Sequence, residues 1–178
     1  KAKDTLRVAL HQPIRQVDAL FNPNPESNLM DRVVMDALLS YDTVNRKIAP
    51  QLAESWKMID DRTVELKLRR NVKFHDGSSF DADDVMYTFG FVLDPKVNFL
   101  FKDSRFGHID KVEKVDQYTV RVRGKEATAT LVTRLTSTPP ILPTNVHGKL
   151  ENKAEFGRNP VGTGPYKVVS LDSGKVVM

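Results

Sequence analysis

The chain has 178 residues, of which 40% are hydrophobic and 28% are charged, and it contains no cysteine. This composition is typical of a folded globular protein, and the lack of thiols excludes disulfides, thiolate metal sites and a cysteine nucleophile. The formal net charge of +4 arises from Lys and Arg residues interspersed with Asp and Glu, which argues against the clustered basic stripe of a nucleic-acid-binding protein.

The amino-terminal part changes pattern twice. The start, KAKDTLRVAL, lacks the continuous apolar region of a signal peptide, so we expect any such leader to have been removed. Residues 5–10 alternate polar and apolar side chains and predict a half-buried strand. The next stretch, HQPIRQVDALFNPNPES, has no periodicity and predicts a long loop of a kind that is often functional. Ser27 or Asn28 is then expected to cap a helix whose apolar residues keep helical spacing as far as Leu38.

The middle of the chain predicts two hairpins. After Tyr41 the pattern is irregular for several residues, and strands are then expected at residues 56–59 and 63–69, joined by the tight connection DDR. Residues 109–115 and 118–123 predict a second hairpin.

The stretch FHDGSSFDADDV, residues 74–85, concentrates one histidine and four aspartates between these hairpins. With Asp81 as the N-cap, Asp83 and Asp84 oppose the positive end of the dipole of a helix that extends to about Leu93. The acids are therefore expected to build a helix start. An EF-hand loop would need acids at alternate positions, then Gly and a distant Glu, and this pattern is absent.

The carboxy-terminal part predicts a weaker helix at residues 126–135, an extended crossing through STPPILP, and a hairpin in PYKVVSLDSGKVVM that turns at residues 172–174. Because the sequence stops within the second strand of this hairpin, we expect a fragment of a longer protein, with a terminal edge strand as the alternative.

Other chemical motifs are weak. His11, His108 and His147 are widely separated and lack the spacing of a metal site. The GTG sequence at residues 162–164 is followed by proline and a strand, whereas a phosphate-binding loop needs a helix there. We therefore predict no catalytic residue, no metal site and no cofactor.

Four segments carry a resemblance to a known family. They are IAPQLAESWKMIDDRTVELKLRRNVKFHDGSSFDADDVMYTF from residue 48, DKVEKVDQYTV from 110, ILPTNV from 141 and NPVGTGPYKVV from 159. In this order they resemble the family 5 extracellular solute-binding proteins, the peptide and nickel binders that serve ABC importers. Asn71 departs from the Gly or Asp that the family often has, but Asn also tolerates the left-handed backbone.

The resemblance implies an α+β fold of the type II periplasmic-binding-protein-like class, in which two lobes close on a ligand. Residues 1–40 would form the first segment of lobe I, residues 41–158 a small inserted domain of mixed sheet and helix, and residues 159–178 a return to lobe I. The second lobe would lie outside this chain.

The same resemblance implies a binding function in which no covalent bond is made or broken. The intact protein would be a periplasmic or otherwise extracytoplasmic monomer, with or without a lipid anchor, that delivers an oligopeptide or similar small solute to an inner-membrane ABC permease. An α+β hydrolase or transferase with catalytic residues downstream is the alternative, and a stand-alone adhesion or interaction module is a third possibility.

Family members line this side of the cleft with the loop after the first strand, the segment after the inserted helix and the proline-rich crossing. By resemblance, the candidate ligand-binding residues in these regions are His11, Gln12, Ile14, Asn24, Asn28, Asn98, Phe101, Arg105, Phe106 and Thr138. Phe101 and Arg105 lead this set, because aromatic and guanidinium groups suit peptide backbones and carboxylates.

Overall fold

A computed structural model describes residues 11–18, 20–22, 24–136, 139–172 and 175–178. The predicted strand at residues 5–10 and two residues of the predicted turn at 172–174 lie outside these ranges. None of the helices in the described ranges is both long and apolar enough to cross a lipid bilayer.

The described chain contains helices and strands in alternating groups. The helices are α1 (Pro25–Val34), α2 (Ala82–Leu93), α3 (Lys102–Phe106), α4 (Leu131–Arg134), α5 (Thr144–His147) and a 3-10 helix (Lys153–Arg158). The strands are β1 (Leu39–Asp42), β2 (Lys47–Pro50), β3 (Ala53–Met58), β4 (Thr63–Leu68), β5 (Ile109–Asp116), β6 (Thr119–Gly124), β7 (Ser170–Asp172) and β8 (Lys175–Val177).

A four-stranded antiparallel sheet of order β3-β4-β6-β5 forms the centre of the fold. Both predicted hairpins are confirmed, and they join through β4 and β6. Val64 and Leu66 are fully buried as their alternation predicts, and α2 packs against β5 and β6. Trp56 on β3 stands opposite Leu66 and is half-buried against the core.

Charged side chains occupy the positions of this sheet that alternate with the buried apolar row. Glu65 lies within 3.3 Å of the Lys57 ammonium and 2.8 Å of the Arg121 guanidinium. In register, Lys57 is opposite Glu65, and Glu65 is opposite Arg121, which is in turn opposite Glu113. Opposite charges therefore alternate across all four strands, which favours this strand pairing.

Helix α2 begins as the sequence predicts. The Asp81 side chain accepts a hydrogen bond from the backbone N–H of Asp83, and Asp84 accepts one from the backbone N–H of Asp81, which completes a capping box. Asp84 also accepts a hydrogen bond at 2.9 Å from the backbone N–H of Thr144. Burial raises the pKa of Asp84, and these hydrogen bonds oppose that rise.

The predicted boundaries of helix α1 are wrong at both ends. Its N-cap is Asn24, not Ser27 or Asn28, because Pro25 suits the first helical position and the Asn24 side chain accepts the N–H of Ser27 at 2.7 Å. The helix ends at Val34, so Leu38 is not helical, and its carbonyl instead accepts the N–H of Ala53.

Helix α1 ends early because of contacts with residues far along the chain. The carbonyls of Val33 and Val34 accept hydrogen bonds from the backbone N–H groups of Tyr166 and Gly164, at 3.1 and 2.9 Å. A Cβ on Gly162 would lie 2.0 Å from the Val34 oxygen, so glycine is required for this approach. Residues 162–166 therefore cap the carboxyl end of α1.

Two further expectations differ from the structure. The stretch after Tyr41 is not merely irregular, because β1 and β2 form a hairpin there. The predicted helix at residues 126–135 is wrong except for the four residues of α4. The Thr128 hydroxyl accepts a hydrogen bond from the backbone N–H of Thr130, and such a local bond competes with helix formation before α4. The pairing of β7 with β8 confirms the terminal hairpin.

We predict that Asp84→Ala lowers the free energy of unfolding by about 2 kcal/mol or more, because it leaves the N–H groups of Asp81 and Thr144 without their acceptor. Asp83→Ala is the matched control in the same helical turn. Asp83 makes an exposed ion pair with Lys114, so its loss should cost less than about 1 kcal/mol. Urea denaturation measures both values, and equal losses would contradict the structural role of Asp84.

We predict opposite effects for two Gly→Ala changes. Gly162→Ala should destabilise the protein by about 2 kcal/mol, because the new methyl group overlaps the Val34 carbonyl. Gly90→Ala should stabilise it by up to about 1 kcal/mol, because Gly90 lies within α2 and a Cβ there meets open space. Thermal unfolding of both variants tests the pair, and a tolerated alanine at residue 162 would argue against the close approach.

Candidate functional site

A row of ring contacts runs through the part of the molecule that carries the predicted site. Successive ring centroids are 4.8–6.2 Å apart along the row, which consists of Phe156, His147, Phe91, Phe21, Phe99 and Phe106. Tilted and edge-on packing at these distances is favourable for aromatic rings. This aromatic row joins six parts of the chain. They are the first loop, which precedes α1 and carries Phe21, then α2, the segment between α2 and α3, and finally α3, α5 and the 3-10 helix.

The first loop presents its predicted residues in different environments. His11 and Gln12 are exposed, whereas Ile14 lies in the core with 1% of its surface exposed. Asn24 and Asn28 are half-buried, and both ends of the Asn24 amide already make hydrogen bonds within the loop and the helix cap. In this structure Ile14 offers no accessible side-chain surface to a ligand.

Asp18 fixes the direction of this loop. Its buried carboxylate accepts hydrogen bonds from the backbone N–H groups of Leu20 and Phe21, at 2.8 and 3.0 Å. Burial raises the pKa of Asp18, and the two hydrogen bonds act in the opposite direction. The result is that the Phe21 ring meets Phe99 edge-on at 5.9 Å, so the first loop and the segment after α2 are neighbours.

The segment after α2 forms a groove of about 720 Å³, which we call the 95–104 groove because residues of that range line it. Asn98 and Phe101 lie on its wall and are exposed. Arg105 is half-buried beside it, and Phe106 is 1% exposed in the core. Phe106 therefore supports the groove from behind in this structure.

Backbone contacts hold the groove in shape. The Lys102 ammonium donates hydrogen bonds to the carbonyl oxygens of Asp94 and Val97, the latter at 2.6 Å. Phe101 has φ of 66° and ψ of 16°, the left-handed conformation that bulky residues rarely adopt. Such strained backbone is often found at functional sites, where the surrounding structure maintains it.

Leu100 and Lys102 also line the groove, and neither is among the residues predicted to bind ligand. Leu100 is 60% exposed and adjoins Phe101 in the groove. The available signal was an apolar pair placed after Asp94-Pro95, where no helix could bury it. Of the other candidates, Thr138 lies outside the described residues, and ligand contact by the exposed candidates stays a prediction.

His147 is the histidine of the aromatic row. It is 1% exposed, and its Nδ1 shares a hydrogen bond of 2.5 Å with the Tyr87 hydroxyl. Burial, with a further contribution from the positive charge of Lys153, lowers the pKa of His147 to about 4. At neutral pH the ring is therefore an uncharged member of the core.

Within the described ranges, no cluster of three or more His, Asp or Glu residues is arranged to hold a metal ion. What the 95–104 groove offers is exposed apolar surface beside an amide, which suits the packing and hydrogen bonding of a small organic ligand.

Comparison with known proteins gives a consistent result. Residues 47–178 match the family described as bacterial extracellular solute-binding proteins, family 5 Middle. The probable ABC transporter periplasmic-binding protein SapA of Escherichia coli K12 is 31% identical over 183 residues, which cover 88% of this chain and 34% of that protein. The chain thus spans about a third of the length of this curated relative.

Two solved structures share the fold. NikZ from Campylobacter jejuni, in complex with Ni(L-His), superposes with a TM-score of 0.83 at 28% identity, covering 98% of this chain and 35% of NikZ. The oligopeptide-binding protein AppA from Bacillus subtilis, in complex with a nonapeptide, also gives 0.83, at 27% identity, covering 92% of this chain and 34% of AppA. These similarities confirm the predicted α+β, type II periplasmic-binding-protein-like fold class.

We predict that acidification destabilises the protein partly through His147. The unfolded histidine takes up a proton near its ordinary pKa of 6.5, whereas the folded one does so only near 4, so stability falls as the pH drops between these values. His147 should contribute a loss of about 2 kcal/mol between pH 7 and pH 5.

Urea denaturation at the two pH values measures this contribution. The pH-dependent loss should be about 2 kcal/mol smaller in His147→Gln than in the wild type. His11→Gln, which changes an exposed histidine, is the control and should keep the wild-type loss. An unchanged pH dependence in His147→Gln would contradict the assignment.

Proposed function

Because this chain belongs to the bacterial extracellular solute-binding proteins of family 5, we propose that it forms part of one lobe of a protein that captures a small solute for an ABC importer. We favour oligopeptides as the cargo. The AppA structure contains a nonapeptide, whereas the NikZ structure contains nickel–histidine, so membership of this family alone does not select the cargo.

The observation that carries this proposal is the 95–104 groove and its contact with the first loop. Phe99 packs against Phe21 from within, while Leu100 and Phe101 remain on the surface. Two of the three regions that the family resemblance implies as cleft-lining are thus in direct contact in the described chain. Packed rings support this exposed apolar wall from beneath, and a pre-formed wall favours binding because less conformational entropy is lost when a ligand arrives.

We propose a three-part organisation of the chain. Residues 1–40 and 159–178 belong to lobe I, and residues 41–158 form the smaller inserted domain. The hydrogen bonds from Gly164 and Tyr166 to the carboxyl end of α1 support the pairing of the first and last parts. In the longer protein, a second lobe completes the cleft.

In this scheme the protein captures its ligand without making or breaking a covalent bond. A ligand that contacts both lobes stabilises the closed state relative to the open one, and the equilibrium shifts by the difference in binding free energy. One lobe alone makes only part of those contacts. The hydrolase or transferase alternative is not favoured, because the related proteins are binding proteins.

The proposed setting follows from the same family. The intact protein acts outside the cytoplasmic membrane, in the periplasm or on a lipid anchor, and delivers its cargo as a monomer to an inner-membrane permease. It uses no cofactor and does not turn over its ligand.

We predict that the full-length protein shows a ligand-dependent rise in melting temperature with pools of tripeptides and pentapeptides. A peptide present at about 100 times its Kd stabilises the folded state by about 2.7 kcal/mol. Residues 1–178 alone should show no shift at the same concentrations, because the contacts of the second lobe are missing. Differential scanning fluorimetry measures both.

Mass spectrometry of the peptides after incubation provides the check on enzymatic activity. Intact peptides are expected. Cleavage by the purified protein, or equal thermal shifts for the full-length protein and residues 1–178, would overturn the proposed function.

A further inference from the structure

We propose that the 95–104 groove selects cargo peptides that carry a bulky apolar side chain, with Leu100 and Phe101 as the specificity-determining residues. This inference rests on the proposed function and adds the chemical class of the side chain that the groove accepts.

The exposure of these two residues is the first observation. Leu100 is 60% exposed and Phe101 is 55% exposed, and they are consecutive on the groove wall. The chain has nine phenylalanines, all within the described ranges, and Phe101 is the one that is exposed. An apolar ligand group that covers this pair removes apolar surface of both partners from water, which drives binding.

The backbone geometry is the second observation, because hydrogen bonds and packing hold the residues on either side of the Phe101 ring. The Phe101 carbonyl accepts hydrogen bonds from the Arg105 N–H and the Ser104 hydroxyl, both at 3.0 Å. The preceding Phe99 side chain is anchored in the aromatic row. The left-handed backbone of Phe101 lies between these fixed points, and in this conformation its ring is 55% exposed.

The charge of the groove is the third observation. The charged side chains on its wall are Lys102 and Asp103, whose formal charges cancel. The Lys102 ammonium already donates to two backbone carbonyls, so it is poorly placed to pair with an acidic ligand group. An acidic ligand side chain would lose hydration here while the Lys102 ammonium is already engaged, whereas an apolar side chain has no such cost.

Asn98 explains why the ligand should be a peptide and not simply a hydrocarbon. Its exposed amide stands on the same wall and can both donate to and accept from a peptide backbone. The groove therefore combines one amide-recognising group with an apolar surface of two adjacent side chains.

The test uses the full-length protein and isothermal titration calorimetry. The probes are alanine tripeptides and pentapeptides with Phe, Ala or Asp at the central position, and nickel–histidine is titrated separately. The Phe peptides should bind about 10-fold more tightly than the Ala peptides of the same length, and the Asp peptides no more tightly than the Ala peptides.

Phe101→Asn is the decisive variant, because Asn tolerates the left-handed backbone but removes the ring. It should lower the affinity for the Phe peptide about 10-fold and leave the affinity for the Ala peptide within about twofold of the wild type. Leu100→Ala should give a smaller loss of the same kind. Val44→Ser, which changes an apolar residue that is 88% exposed outside the groove, should change neither affinity.

The outcomes separate this inference from the proposed function. If the wild type binds all three central residues equally, or if Phe101→Asn and Leu100→Ala keep the Phe preference, the inference is overturned while peptide capture stands. If no peptide binds but nickel–histidine does, the peptide cargo and the inference both fail, while solute capture stands. If peptides are cleaved, solute capture itself fails.

Discussion

Edge-on contact between aromatic rings is the interaction on which the rest of this structure depends. The aromatic row extends from Phe156 through His147 to Phe106, and it crosses elements that lie more than a hundred residues apart in sequence. Ring packing has no backbone ladder to set its register, so each ring must be held by its own element. Phe21 is an example, because the buried Asp18 carboxylate accepts its backbone N–H and thereby orders the loop that contains it. Phe99 belongs both to this row and to the wall of the groove, so the row supports the groove from beneath.

Local chemistry made much of residues 41–158 predictable. Helix α2 starts at the expected residue because Asp81 and Asp84 satisfy backbone N–H groups within one turn, which needs no distant partner. The strands of the four-stranded sheet follow from strict alternation, since a one-residue slip would move Val64 and Leu66 from the core to the surface. Asn71 takes the left-handed conformation that its residue type allows.

Features set by distant contacts escaped prediction. Helix α1 ends at Val34 because Gly164, near the other end of the chain, approaches its last carbonyls. Helical periodicity in the local sequence carries no information about such a distant contact. The groove depends on the left-handed backbone of Phe101, a conformation that composition would assign to glycine or asparagine. The resemblance could indicate the region of the site but not which side chains face solvent, so Ile14 was grouped with exposed neighbours.

The position of Trp56 gives the protein a built-in optical reporter. It is the single tryptophan of the chain, and it is half-buried in β3 opposite Leu66. Indole emission from this chain therefore originates in the four-stranded sheet, and its wavelength reports whether that sheet is intact. Signals that cover all backbone groups, such as far-ultraviolet circular dichroism, average over both proposed domains. A difference between the two signals during unfolding would show that the proposed inserted domain melts as a separate cooperative unit.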